Sequence, residues 1–547
     1  MSTQTRTFNA RILPLLSDTE PAPDFAAPPN VVGLCFSGGG SRALTCALGQ
    51  LRGLFYLRLL DKVFAISSVS GGSWASAIFT YLPADISDAD FLGPINLNPA
   101  SLTIEGLQLM PANCLGWAPT RLASLVDLAS ILEFKVYYDY PNDQLWQGLV
   151  GKLILGPYGL WNPDENGFDQ RYYAWTAALL RAGDGILARN PSLRVSNFYT
   201  VQRSRPFLVI NSSFFVNDSA DADLVPFEST FSCGVRAFFQ KNAQHPDDIG
   251  GGLVEAFAMG STYQSDKPNN IVTVTAPARA FSLSDIVGIS SVAPAQWLEE
   301  QFPILNGLVP RYPYWPVRNR QSNPTSEYRF ADGGSLENLG VNSLLARGVS
   351  RLLVFVNTDQ AVQQADDGSI IVSDDIPPLF GFQPYAAGKG YVPYSKDSGT
   401  GPIRLFRYNQ VFDSAAFFNL AQGLWAAKKS QGTVMFAQRL AVRANSYFGV
   451  NPGIVNVLWI YNDMVESWWN RIASEVRYYI DYETYDDFPM YDTFTQLYLP
   501  PAAVNALAHL SAWNVASDST LGHPGFTNAQ IVESMFAAQP ILWDEVD

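Results

Sequence analysis

The sequence predicts an α/β fold built on a mostly parallel central sheet. Three observations lead there. Short apolar runs end in glycine- or serine-rich turns. Segments with helical spacing follow those turns, which is the strand–turn–helix order of parallel sheets. The composition, 47% hydrophobic and 16% charged over 547 residues, is enough to cover such a sheet on both faces.

Taken in order, residues 1–30 have no long apolar segment of the signal-peptide kind. Pro21, Pro23, Pro28 and Pro29 make them read as an extended N-terminal arm. Val31 to Phe36 is the first buried-strand pattern, and it stops at Ser37-Gly38-Gly39-Gly40. Arg42 to Leu60 then places leucines at 44, 48, 51, 54, 57 and 60, the spacing of a helix face. Val63 to Val69 is a second apolar run, ending at Ser70-Gly71-Gly72-Ser73, with a helix expected from Trp74 to Leu82.

That order puts two pieces of chemistry on the carboxyl edge of one sheet, where open α/β sheets bind ligands. Gly39 and Gly40 bring bare N–H groups to a helix N-terminus, which is what an oxyanion hole requires. Ser68-Val69-Ser70-Gly71-Gly72 departs by one residue from the G-x-S-x-G nucleophile elbow and keeps small residues around the serine. Gly38, Gly40 and Ala43 also fit a dinucleotide loop, but the next strand ends in Ser67, Ser68 and Ser70 where a ribose-binding carboxylate would stand.

Farther along, Tyr328 to Asp332 is a short segment closed by Gly333-Gly334, and Arg351 to Val356 is another buried strand. Residues from about 85 to 196 lose the strand pattern and read as a helical insertion, with helices expected over Arg121–Leu132 and Gln144–Leu155. Ala295 to Val317 is apolar but broken at Pro303, Pro310 and Pro313, so Trp297, Phe302, Leu305, Leu308, Tyr312 and Trp315 are expected on a lid or a buried strut. Residues 360–402 read as a loop or hairpin excursion, Val455 to Asp481 as a long helix, and Ala502 to Ala512, begun after Pro500-Pro501, as another. We therefore expect one domain over 31–547, with a helical C-terminal portion from about 403.

Several function classes are disfavoured. A net charge of −15 works against nucleic acid and against recruitment by a basic patch. No apolar run is long enough to span a bilayer. Cys35, Cys46, Cys114 and Cys233 lack metal or disulfide spacing and read as buried thiols of a cytoplasmic protein. The loop from Asn162 to Gly167 begins like a calcium loop but has Tyr173 where the closing glutamate belongs, and Asp218 to Asp223 reads as a solvated turn. No metal site is expected.

Ser37-Gly38-Gly39-Gly40-Ser41-Arg42-Ala43, the Ser70 elbow with Trp74, and Asp332-Gly333-Gly334 together resemble the three blocks of the patatin and cytosolic phospholipase A2 superfamily. The S-G-G-G-x-R-A form and Trp74 favour the cytosolic phospholipase A2 branch. Pro206–Asn211 with Val225–Thr230, and Ser290 to Pro294, resemble supporting blocks. The resemblance covers about residues 31–357. It implies a lipid acyl hydrolase with Ser70 as nucleophile and Asp332 as its base, Gly39 and Gly40 as oxyanion donors, and Arg42 facing a substrate phosphate. It implies no cofactor, a phospholipid or lysophospholipid substrate, and peripheral contact with a membrane. Two alternatives remain: an α/β-hydrolase triad completed by His509 or His523, and a noncatalytic lipid-binding protein on the same fold.

Overall fold

The computed structural model describes residues 6–15, 24–122, 140–219, 222–239, 249–301, 307–323, 325–395, 402–483, 487–493, 497–523 and 525–543. Among the described residues, fourteen strands join in one sheet. In chain order they are β1 (Thr7–Pro14), β2 (Val32–Phe36), β3 (Val63–Val69), β4 (Phe207–Phe215), β5 (Leu224–Ser229), β6 (Ser232–Phe239), β7 (Ile249–Glu255), β8 (Thr262–Lys267), β9 (Ile271–Thr275), β10 (Arg311–Tyr314), β11 (Ser326–Asp332), β12 (Arg351–Val356), β13 (Met435–Val442) and β14 (Gly453–Tyr461). The spatial order is β8-β9-β1-β7-β6-β5-β4-β3-β2-β12-β14-β13, with β11 pairing β4 and β10 pairing β11.

The sheet is mixed, which corrects the expectation of a mostly parallel one. Only β4-β3-β2-β12-β14 is a parallel block. Among the described residues, every other pairing within this sheet is antiparallel. The reason is connection type. β2 and β3 are joined through a helix, as parallel neighbours must be, whereas β5 and β6 meet across Thr230 and Phe231 as a tight hairpin. An apolar strand looks the same in either setting, so composition alone did not separate them.

Three other expectations change. The N-terminal arm is not a free lead-in, because β1 is hydrogen-bonded between β9 and β7. The long helix expected over 455–481 is a strand for its first part: β14 lies parallel to β12, and helices occupy only Glu466–Trp469 and Ser474–Glu483. Its run Ile-Val-Asn-Val-Leu-Trp-Ile-Tyr is apolar at both periods, and β-branched residues decide for strand. The portion from 403 therefore supplies two strands as well as helices. Within 85–196 the helix expected at Gln144–Leu155 is present as a continuous run over Leu145–Leu149 and Val150–Leu155, while others are short, such as Asp88–Leu92 and Ile104–Gln108, and Tyr172–Ala174 pairs with Phe198–Thr200 in a small separate sheet. The helix expected at Arg121–Leu132 falls mostly outside the described residues.

Two helices begin at the carboxyl edge of the parallel block, where the site lies. α1 (Gly40–Tyr56) follows β2 and α2 (Gly71–Tyr81) follows β3. A third helix, α3 (Leu283–Ser290), turns into α4 (Ala293–Gln301). Almost all of α1 is buried, because α5 (Pro501–Ala516) lies across it. Small residues permit that approach: a Cβ on Gly49 would stand 2.2 Å from Ala508 O. The C-terminal portion is thus part of the core beneath the glycine loop.

The lid expectation fails for Leu308, Tyr312 and Trp315, all of them buried. Tyr312 lies on β10 and its hydroxyl donates to Asp285 at 2.6 Å, so this stretch is a strut of the core. Phe302 and Leu305 lie outside the described residues, and Trp297 stands on α4. All four cysteines are free and buried. Among the described residues, no helix is long and apolar enough to cross a membrane, and no group of three or more His, Cys, Asp or Glu is placed to hold a metal ion.

Candidate active site

The glycine loop after β2, the serine turn after β3 and the end of β11 meet at the carboxyl edge of the parallel block. Ser70 stands in the turn between β3 and α2 with φ 50° and ψ −122°. A non-glycine residue in such a conformation carries strain of about 1–3 kcal/mol and stays there only where its surroundings fix it. Main-chain contacts fix it here. A Cβ on Gly71 would stand 2.0 Å from Gly40 O, and one on Gly72 would stand 2.6 Å from Phe36 O. The serine turn is therefore pressed directly onto the glycine loop, and only glycine allows it.

Ser70 Oγ donates to Asp332 Oδ2 at 3.1 Å. The same oxygen accepts the Ala293 N–H at 3.1 Å, and Oδ1 accepts the Gly334 N–H at 2.7 Å. Asp332 closes β11, which pairs with β4, so its carboxylate is held by the sheet and by the start of α4. Burial pushes its carboxyl up to about 6, and the hydrogen bonds from Gly334, Ala293 and Ser70 oppose the rise. The group is poised to exchange a proton near neutral pH, as a general base must be.

Gly39 has φ 130° and Gly40 φ 54°, values that side chains rarely permit. The Gly38 N–H is already spent on Asn338 O at 3.0 Å. Among the described residues no protein acceptor takes the Gly39 or Gly40 N–H, which leaves both donors at the start of α1. Thr493, far away in sequence, holds this loop: its hydroxyl donates to Gly39 O at 2.6 Å and accepts the Arg42 N–H at 3.2 Å. Ser41 Oγ donates to Leu497 O.

Arg42 is buried against the same loop. Its Nε donates to Asn357 O at 3.0 Å, and its Nη1 donates to Tyr491 O and faces Asp359 at 3.3 Å. Nη2 is the part next to Gly39, 2.7 Å from where a Cβ would be. These groups line one cavity of about 340 Å³, which holds Ser70, Asp332, Gly39, Gly40 and Arg42 together. Asp359, Asp374 and Asp375 make part of its wall, and burial pushes Asp375 up to about 6.

The histidines of the triad alternative are elsewhere. His509 and His523 are buried, neither lines the cavity, and burial lowers them to about 3 and about 4. His245 lies outside the described residues. Sequence reasoning missed three supports of the site. Asn338 wedges its Oδ1 between Gly38 and Gly334. Asn211 Nδ2 bonds Ser67 Oγ and Ser68 O behind the elbow, at 2.8 and 2.9 Å. Thr493 belongs to the stretch beyond 357 that carried no readable motif.

No family model matches the chain. Among curated proteins, human cytosolic phospholipase A2 delta is 37% identical over 128 residues, covering 23% of this chain and 14% of that protein. Human cytosolic phospholipase A2 beta is 32% identical over 122 residues, covering 21% and 16%. Mouse cytosolic phospholipase A2 zeta is 45% identical over 65 residues, covering 12% and 8%. The matches thus span less than a fifth of these relatives. Among solved structures, human GIVD cytosolic phospholipase A2 aligns over 89% of this chain and 58% of its own at 13% identity, with a TM-score of 0.43.

The class defined here is an α/β protein with a serine elbow facing a glycine loop. Over the matched stretches the chain is similar in sequence to the cytosolic phospholipase A2 proteins.

Proposed function

We propose that the chain is a phospholipase- or lysophospholipase-type acyl hydrolase working through a Ser–Asp dyad. The observation that carries this reading is the 3.1 Å bond from Ser70 Oγ to Asp332 Oδ2 at a strained elbow, beside two unpaired N–H donors. Asp332 accepts the hydroxyl proton as Ser70 Oγ attacks the acyl carbonyl carbon. The Gly39 and Gly40 N–H groups hold the oxyanion. Collapse expels the lyso product or glycerophospho alcohol, which takes the proton back from Asp332. Water, activated by the regenerated carboxylate, then releases the fatty acid from Ser70. Arg42 Nη2 meets the substrate phosphate. In this reading the protein acts in the cytoplasm as a peripheral visitor to membrane lipid, since its charge of −15 offers no general attraction to an anionic surface.

The test uses phospholipid vesicles, a soluble uncharged ester and a lipid-like fluorophosphonate. Wild type should hydrolyse both substrates, and peptide mapping should place the phosphonate adduct on Ser70. Arg42→Lys should lose more activity on phospholipid than on the uncharged ester, because an ammonium cannot reproduce the guanidinium fork. An adduct on another serine would overturn the nucleophile assignment. Equal losses of Arg42→Lys on both substrates would remove the phosphate role and leave Arg42 as a loop tie.

A pH dependence follows from Asp332. With its carboxyl at about 6, Asp332 is protonated on the acid side and cannot take the Ser70 proton. The rate with the soluble ester should therefore rise with pH through about 6 and level off above it. The same burial makes ionisation unfavourable to the fold, so this one group stabilises the protein most below its unfolded value, about 3.9, and loses that contribution as pH passes 6. A rate that stays flat down to about pH 4 would show that an ionised Asp332 is not required.

A further inference from the structure

We propose that Ser290 is a positioning residue for the nucleophile, its hydroxyl clamping the Ser70 main chain so that Ser70 Oγ stays on Asp332. This inference rests on the acyl-hydrolase reading above.

The strain at Ser70 has to be restrained on both sides of the residue. On the carbonyl side, the Ser73 N–H and Oγ–H both donate to Ser70 O, at 2.8 and 2.5 Å. On the amide side, the Ser70 N–H donates to Ser290 Oγ at 3.0 Å. Ser290 is fully buried at the end of α3. Its single proton is committed to Asn211 O at 2.6 Å, so a lone pair is turned towards Ser70. Asn211 in turn is paired with Val69 in the sheet, and its Nδ2 holds Ser67 Oγ and Ser68 O. The acceptor that holds the elbow is therefore anchored to the strand that carries the elbow.

The same corner also sets the base. Three residues on from Ser290, the Ala293 N–H donates to the Asp332 oxygen that receives Ser70 Oγ. Between them, Ser291 Oγ accepts the Trp74 indole N–H at 2.9 Å, which ties the corner to α2. One short turn between α3 and α4 thus fixes both ends of the dyad. Ser290 does not itself line the cavity, so it acts through Ser70 and not on substrate. Without its hydroxyl, the Ser70 N–H would lack its acceptor and the elbow could relax away from Asp332. Loss of alignment at the reacting atoms reduces turnover while leaving substrate affinity alone.

The experiment compares wild type with Ser290→Ala and Ser290→Thr, reading kcat and KM on a soluble ester, the rate of fluorophosphonate labelling at Ser70, and the thermal melt. Ser290→Ala should remain folded with KM nearly unchanged. Its kcat and its labelling rate should fall together, by roughly 10- to 100-fold. Ser290→Thr keeps the hydroxyl and should recover most of both. Should the threonine variant fail to fold, Ser290→Cys, whose sulfur is a weak acceptor of similar size, should fall between serine and alanine. A folded Ser290→Ala enzyme with wild-type kcat, or one whose only change is a lower melt, would overturn the inference while leaving the hydrolase reading intact. A wild type that neither hydrolyses the ester nor takes the label would overturn both.

Discussion

Ser70→Ala and Asp332→Asn should each abolish ester hydrolysis, lowering kcat by roughly 10⁴-fold or more, and the double variant should be no worse than either single one. Residues that act as a unit lose nearly everything when one is removed. Here the Ser70 hydroxyl proton has the Asp332 carboxylate to go to, at 3.1 Å. In Asp332→Asn the shape is kept and the proton acceptor is lost, so the fold should survive while the chemistry does not. Ser70→Gly supplies a check of the elbow itself. It should be as inactive as Ser70→Ala, but glycine adopts φ 50° freely and alanine does not, so Ser70→Gly should be the more stable of the two by about 1 kcal/mol. Kinetics on the soluble ester and paired thermal melts measure both effects. Turnover within tenfold of wild type in Asp332→Asn would remove the dyad. His509→Ala and His523→Ala serve as contrasts, since these side chains stand away from the cavity.

The parts of this site legible in the sequence were those whose chemistry is local. Three glycines before a helix, a serine between small residues and an aspartate before Gly-Gly each state a backbone need within a few residues, and the structure brings Gly39, Gly40, Ser70, Asp332 and Arg42 to one cavity. Arg42 was legible as a residue but not in its ties, because its partners Asn357 O and Tyr491 O are main-chain atoms hundreds of residues away. Thr493 and Asn338 were hidden for the same reason. The parallel block was readable from β2, β3 and β12, whose runs are mostly apolar and almost wholly buried. The antiparallel remainder was not, since pairing direction is set by how strands are connected and leaves no mark on any one strand. Gly453–Tyr461 shows the limit from the other side: a run apolar at all but Gly453 and Asn456 matches both periods, and its β-branched residues and its pairing with β12 decide for strand.

Gly71→Ala should cost more than any other single methyl group added near the site. Gly71 is the first residue of α2 and has no need of positive φ, so helix propensity alone would make alanine stabilising by about 1 kcal/mol. Packing opposes that with a larger effect. The new Cβ would stand 2.0 Å from Gly40 O and 2.7 Å from Gly40 N, and both are main-chain atoms that cannot rotate aside. Either the serine turn or the glycine loop has to move, and the two carry the proposed nucleophile and oxyanion donors. Overpacking of this kind costs about 1–3 kcal/mol in stability, and a shift of about 1 Å between reacting groups costs roughly 100-fold in rate. The expected result is a folded protein with a lowered melt and kcat down by about two orders of magnitude or more. Gly453→Ala is the matched control: nothing lies within 4 Å of its added Cβ, and it should change neither property measurably. If Gly71→Ala turned over the ester within a few-fold of wild type, the elbow and the glycine loop could not be in contact. The oxyanion assignment of Gly39 and Gly40 would then have to be withdrawn.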